Sequence, residues 1–145
     1  VQHQGFGRSD LLTIAAKQSG ESAFNMAKVE RSDIDLAMIY DSFTITVLAT
    51  LENLGFCEPG EGGHFVSDGG ISLEGALPVN PDGGGLSSNH PGMRGIFLVI
   101  EAVKQLRQEC DARQVGFPEL ALAHGTGGTI GDKHSGATLI LGVDR

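Results

Sequence analysis

Cysteine is scarce in this chain: Cys57 and Cys110 are the two it has, far apart and without Cys-x-x-Cys spacing. That usage excludes a disulfide scaffold and a zinc knuckle, and it suits a reducing, cytoplasmic setting. Basic charge is short as well. Ten Lys and Arg stand against 18 Asp and Glu, a net charge of −8, with no basic run. An electrostatic nucleic-acid footprint is therefore not expected, and the acidic surplus serves solubility. No apolar run approaches the roughly 20 residues a membrane span needs, and no charged segment followed by an apolar one opens the chain. Neither a span nor a secretory leader is expected. Internal repeats, low-complexity tracts and linkers are also missing, which leaves one domain over residues 1–145. The chain begins at Val1 rather than methionine, so a processed product, a cloned domain or the tail of a longer polypeptide is expected.

Glycine, by contrast, is abundant. The 22 glycines are about twice the usual share and crowd the middle of the chain. Residues 77–94 are the stretch around which the rest is organised. Gly83, Gly84 and Gly85 permit backbone conformations closed to other residues, and His90-Pro91-Gly92 follows just before an apolar, helix-like run. A histidine is thus expected to be held by a stiff turn near a helix start, where a neutral imidazole can accept a proton or polarise a carbonyl. The plainer role is a glycine-rich turn in which His90 bonds a backbone carbonyl.

Alternation of apolar runs and turns predicts a layered α/β domain. The pattern over 11–29 is helical, as one helix or two, with Ser19-Gly20 as the interruption. Leu36-Ala37-Met38-Ile39-Tyr40 reads as a strand covered on both faces. Asp41 or Ser42 is the cap expected for a following helix marked by Ile45, Val47, Leu48, Leu51 and Leu54 and stopped by Gly55. Residues 56–75 read as a long loop, and Pro78-Val79-Asn80 as a short strand. Ile96, Phe97, Val99, Ile100, Val103 and Leu106 mark the strongest helix, with Arg94, Glu101, Lys104 and Arg107 on its wet side. Leu120-Ala121-Leu122-Ala123 is a strand that runs into a glycine turn, His124 to Gly128, and 137–142 is the last strand.

Three places share one design, a strand followed at once by a polar or glycine-rich turn: Tyr40-Asp41-Ser42, Asn80 to His90, and His124 to Gly128. In open α/β sheets ligands gather outside strand ends, so the three are expected to converge. Tyr40 offers a phenol and Asp41 a carboxylate, with helix capping as the plainer use of Asp41. His124 is a candidate base or oxyanion donor. His64 and His134 read as surface histidines. A metal cluster of His64, His90 and His124 lacks ligand spacing, and Cys57 lacks a feature that would lower its pKa.

Several linked motifs carry a resemblance: Tyr40-Asp41-Ser42-Phe43, the run from Gly55 to Gly62, Pro78-Val79-Asn80 with Gly83-Gly84-Gly85, Asn89-His90-Pro91-Gly92, Ala102-Val103 with Gln105-Leu106-Arg107, and Ala137-Thr138-Leu139-Ile140-Leu141. Together they resemble the C-terminal half of a thiolase, closest to the lipid-transfer or sterol-carrier-protein type. The resemblance implies a βαβαβαββ half with a mixed sheet covered by helices, and a homodimer or tetramer. It also implies an N-terminal half that carries the nucleophilic cysteine and has no counterpart in this sequence. Acyltransferase chemistry on acyl- or 3-ketoacyl-coenzyme A thioesters follows, with the thioester as substrate, no permanently bound cofactor and no metal. By position His90 is similar to the family's Gly-His-Pro histidine, although Asn89 precedes it. Tyr40 falls where members hold an oxyanion-hole water through asparagine or histidine, and His124 near the second catalytic cysteine. Asn80, Gly83, Gly84, Gly85, Asn89, Gly125, Gly127 and Gly128 are the expected substrate-binding positions. The tyrosine also resembles the thiolase-like aldolases that cleave steroid coenzyme A thioesters with an OB-fold partner. A non-catalytic binding or scaffold module is the third expectation.

Overall fold

The computed structural model describes residues 2–4, 12–130 and 133–144. Its elements are β1 (Gln2–Gln4), α1 (Ala15–Ala27), β2 (Leu36–Ile39), α2 (Thr44–Leu54), α3 (Gly62–Ser67), α4 (Arg94–Leu106), β3 (Leu120–Ile130) and β4 (Lys133–Gly142). The sheet order is β1-β4-β3-β2, with β2 parallel to β3 and the other two pairs antiparallel. Beyond β2, Val79 makes a single parallel bridge to Ala37. With that bridge as the third strand, and α2 with the short α3 as one helical connection, the order is βαβαβαββ.

Strand alternation divides the core. Ala37, Ile39 and Leu122 point to one face, where they meet Ala16 and Phe24 of α1 and Leu51 and Leu54 of α2. Leu36, Met38, Ala121 and Ala123 point to the other and meet Leu98 and Ala102 of α4. Burial on both faces is why β2 is an unbroken apolar run. Helices therefore cover a mixed sheet on both sides.

The local expectations need several corrections. Helix α1 runs unbroken through Ser19-Gly20, because Gly20 admits α2: a Cβ there would lie 2.7 Å from Leu54 Cδ2. The cap of α2 is Phe43, not Asp41 or Ser42, and its N–H donates to Thr46 Oγ1 at 3.2 Å. The span 56–75 contains α3, whose Gly62 N–H donates to Glu52 Oε1 at 3.0 Å. The stretch from His124 to Gly128 is not a turn. It continues β3, with Gly125 opposite Ala137, Thr126 opposite Gly136 and Gly127 opposite Ser135.

Helix α4 is turned relative to its apolar stripe. Leu98, Ala102 and Gln105 are its buried positions, and Arg94 and Glu101 are buried beside them, whereas Ile96, Phe97 and Ile100 are 51%, 38% and 44% exposed. Small Ala102 allows close approach to the sheet. Glu101 and Gln105 are matched: Glu101 accepts from Arg113 Nε at 2.9 Å and Nη2 at 3.1 Å, and Gln105 donates to Arg113 O and accepts the Val115 N–H, both at 2.9 Å. Partnered polar groups can be buried, so the apolar stripe is left outward.

Candidate functional site

Tyr40 follows the last residue of β2, and its N–H donates to His124 O at 2.9 Å, which fixes the start of the turn on the sheet. The next residue, Asp41, is buried at 5% exposure. Its Oδ1 accepts the Gly85 N–H at 2.8 Å and its Oδ2 the Leu86 N–H at 3.0 Å. The glycines are needed for this embrace. Gly83 and Gly84 have φ of 86° and 70°, and a Cβ on Gly84 would collide with Asp41 Oδ2. Asp41 is thus occupied in holding the turn that leads to His90.

Asn80 works similarly on the strand. Its Oδ1 accepts the Ile39 N–H and its Nδ2 donates to Ile39 O, both at 2.8 Å, so one side chain does what a neighbouring strand's backbone would do. The glycine turn is therefore tied to the end of β2 by an amide and a carboxylate. Further along it, Asn89 and His90 are exposed.

The outcome is a contact between two remote residues. Tyr40 Oη and His90 Nε2 share a hydrogen bond of 2.5 Å, with the rings edge to face, 5.7 Å between centroids. Which atom donates follows the imidazole tautomer. When Nδ1 carries the imidazole hydrogen, the phenol donates, and the pair can pass a proton between oxygen and nitrogen. The pair also borders two cavities. One of about 400 Å³ is lined further by Ser42, Arg94, Gly95, Gly125, Thr126 and Gly127. The other, about 80 Å³, is bounded by Asp41, Gly85, Leu86 and Asn89.

His124 is placed elsewhere. It is fully buried, and its Nδ1 bonds Thr138 Oγ1 at 2.9 Å, which in turn bonds Ser19 Oγ at 2.8 Å under α1. Odd and even positions of a strand face opposite ways, so His124 looks to the α1 layer with Leu122. Its strand neighbours Gly125 and Gly127 line the larger cavity instead, while Gly128 lies farther along β3. Arg94 is the lining residue that the helical pattern hides, because it reads as a solvent-facing cation. A cation on the first turn of a helix opposes the dipole, and that mismatch was the available signal. Its NH2 group pairs with Asp82 Oδ2 at 3.2 Å.

The thiols stand apart from this chemistry. Burial, then Glu52, Glu61 and Glu58, raises the Cys57 pKa, and burial with Glu101 pushes Cys110 up to about 11. Both are therefore poor thiolates near neutral pH. Among the described residues no cluster of metal-ligating side chains occurs, and no helix is long and apolar enough to cross a membrane.

Comparison with known proteins agrees with the fold. The family model described as thiolase C-terminal domain-like matches residues 1–143. An acetyl-CoA acetyltransferase of Methanothermobacter thermautotrophicus is 43% identical over 126 residues, 86% of this chain and 33% of that protein. A steroid side-chain-cleaving aldolase of Thermomonospora curvata is 38% identical over 127 residues, 87% of this chain and 30% of that protein. Among solved structures, the Ltp2-ChsH2(DUF35) aldolase superposes with a TM-score of 0.81 at 33% identity, covering 99% of this chain and 38% of that one. The chain spans about a third of the length of the relatives it matches.

Proposed function

We propose, from the premise that this chain belongs to the thiolase C-terminal domain-like family, that it supplies acid–base and oxyanion groups to an acyltransferase acting on acyl- or 3-ketoacyl-coenzyme A thioesters. The observation that carries the reading is the 2.5 Å bond between Tyr40 and His90 on a cavity wall. In an acyl transfer, the pair acts as the base: Tyr40 Oη takes the thiol proton of a nucleophilic cysteine supplied by the rest of the protein as its own proton passes to His90 Nε2. The thiolate adds to the thioester carbonyl, and collapse of the oxyanion expels the leaving group, which takes up a proton. With His90 Nε2–H now donating to its oxygen, the Tyr40 hydroxyl turns its hydrogen to the developing oxyanion, and the pair then gives the leaving group its proton and returns to its starting state.

Partnering is part of the proposal. Ile96, Phe97 and Ile100 give α4 an apolar outer face, and we assign that face to contact with the nucleophile-bearing half. Homodimers or tetramers are the assembly proposed, in the cytoplasm.

A second reading is favoured by the phenol itself. In a retro-aldol cleavage the Tyr40–His90 pair removes the proton of a β-hydroxyl group. The Cα–Cβ bond then breaks to give a ketone or aldehyde and the thioester enolate, which is reprotonated at Cα. No acyl-enzyme forms, and an OB-fold partner belongs to this alternative. Similarity to a steroid side-chain-cleaving aldolase supports it.

Intact-mass measurement of the complete protein after incubation with short and long acyl-coenzyme A separates the readings. A covalent acyl adduct on a cysteine outside this chain supports acyl transfer. Absence of an adduct, with cleavage of a β-hydroxyacyl thioester, supports the aldolase. Binding of a partner protein with neither reaction would leave a scaffold module.

A further inference from the structure

We propose that Arg94 is a positioning residue for His90, an inference that rests on the Tyr40–His90 pair being the working acid–base machinery. His90 is exposed, so packing does not hold its ring; the path of residues 82–94 does. That path is fastened by the side chains of Asp82 and Arg94 and by the Arg94 backbone. Asp82 Oδ1 accepts the Gly84 N–H at 3.0 Å, and Asp82 Oδ2 accepts Arg94 NH2 at 3.2 Å. The Arg94 N–H donates to Pro91 O, also at 3.2 Å, and so latches the corner directly after His90. Arg94 thereby closes the loop on which His90 is carried.

Its surroundings explain why a cation is kept in an unfavourable place. Arg94 is only 7% exposed and sits on the first turn of α4, where the helix dipole repels positive charge. Two carboxylates offset that repulsion: Asp82 is bonded to it, and Asp41 faces it across Gly85. A Cβ on Gly85 would lie 3.0 Å from Asp41 Oδ1 and 3.5 Å from Arg94 Nε. The same glycine turn is thus gripped through Asp41 on one side and Arg94 on the other. Arg94 Nε is buried without a hydrogen-bond partner among the described residues. Burying a guanidinium nitrogen without a partner costs stability, so the loop closure that Arg94 makes with Asp82 is held against that cost. Arg94 also lines the larger cavity, but Asp82 takes its Nη2 and its Nε is buried, which leaves less of the guanidinium for an anionic ligand.

The test uses Arg94→Leu, Arg94→Lys and Asp82→Asn in the complete protein. It reads kcat and KM for an acyl-coenzyme A thioester, together with the downfield proton NMR signal of the Tyr40–His90 hydrogen bond. Arg94→Leu and Asp82→Asn should each lower kcat about tenfold or more while KM moves less than about threefold, because misplacing a catalytic group acts on turnover. Both should lose the signal. Arg94→Lys, which still pairs with Asp82, should recover much of both, and the Leu/Asn double variant should be no worse than either single. A KM rise of about tenfold with kcat retained would make Arg94 a ligand contact and overturn the proposal. An unchanged signal and kcat would also overturn it. Should Arg94→Leu fail to fold, Asp82→Asn on the turn carries the same comparison. A wild-type protein that shows the signal yet turns over no thioester would sink the functional reading, while loss of the signal in the variants would still support the role of Arg94.

Discussion

At the scale of single residues, the proposed chemistry rests on two hydrogen-bonded side chains 50 positions apart. Replacing His90 with Asn removes the group able to take a proton, and turnover in the complete protein should fall at least roughly a hundredfold if it is a general base. A loss below about threefold in steady-state kcat would rule that role out. Tyr40→Phe keeps the ring but deletes the phenol, and should reduce kcat by about tenfold to a hundredfold with little change in KM. The histidine was legible in the sequence from its Pro-Gly context, and the tyrosine from its position at a strand end. Their direct bond was not, because it depends on how a turn 40 residues later folds back onto β2. Asp41 illustrates the same limit. A helix cap and a loop anchor need the same short carboxylate, and only the glycine turn's return path decides between them.

At the scale of elements, glycine and buried charge set how closely layers approach. Gly20 lets α1 sit against Leu54, so Gly20→Ala should cost about 1–3 kcal/mol through overpacking, despite alanine's better helix propensity; thermal unfolding measures it. The Glu101–Arg113 pair behind α4 gives a pH signature. Burial alone would raise the Glu101 pKa, yet the hydrogen bonds from Arg113 and Gln105 hold it below the usual carboxylate value. A depressed folded value means the contribution is complete above the unfolded pKa and is lost as pH falls through the folded one. The stability gap between the wild type and Glu101→Gln should therefore be widest near neutral pH and shrink in acid, as followed by denaturant midpoints. Periodicity located α4 but reversed two of its polar residues. Hydrophobic spacing cannot tell which of two stripes meets the sheet when buried Glu101 and Gln105 find partners eight to twelve residues further along, on the following segment.

For the molecule as a whole, strand and helix order could be read from the chain because both faces of the sheet are covered, which forces long apolar runs. The length of β3 could not. Glycines at 125 and 127 signal a turn locally, and only pairing with β4 makes them strand. Phe97→Asp, on the outward face of α4, should leave the sheet intact but weaken the docking proposed for that face, reducing soluble yield or assembly size by sedimentation analysis. No change in either would show that the face stays in water.

The amide of Asn80 has a further consequence for the lifetime of the protein. It holds both backbone groups of Ile39, so conversion to aspartate would replace a donor with a charge and unfasten the strand end beside Tyr40. Asparagine usually ages by attack of the next residue's backbone nitrogen on the side-chain carbonyl. Here the next residue is Pro81, whose nitrogen bears no hydrogen, and the cyclic imide route is closed. The amide on which the site's geometry depends is chemically long-lived.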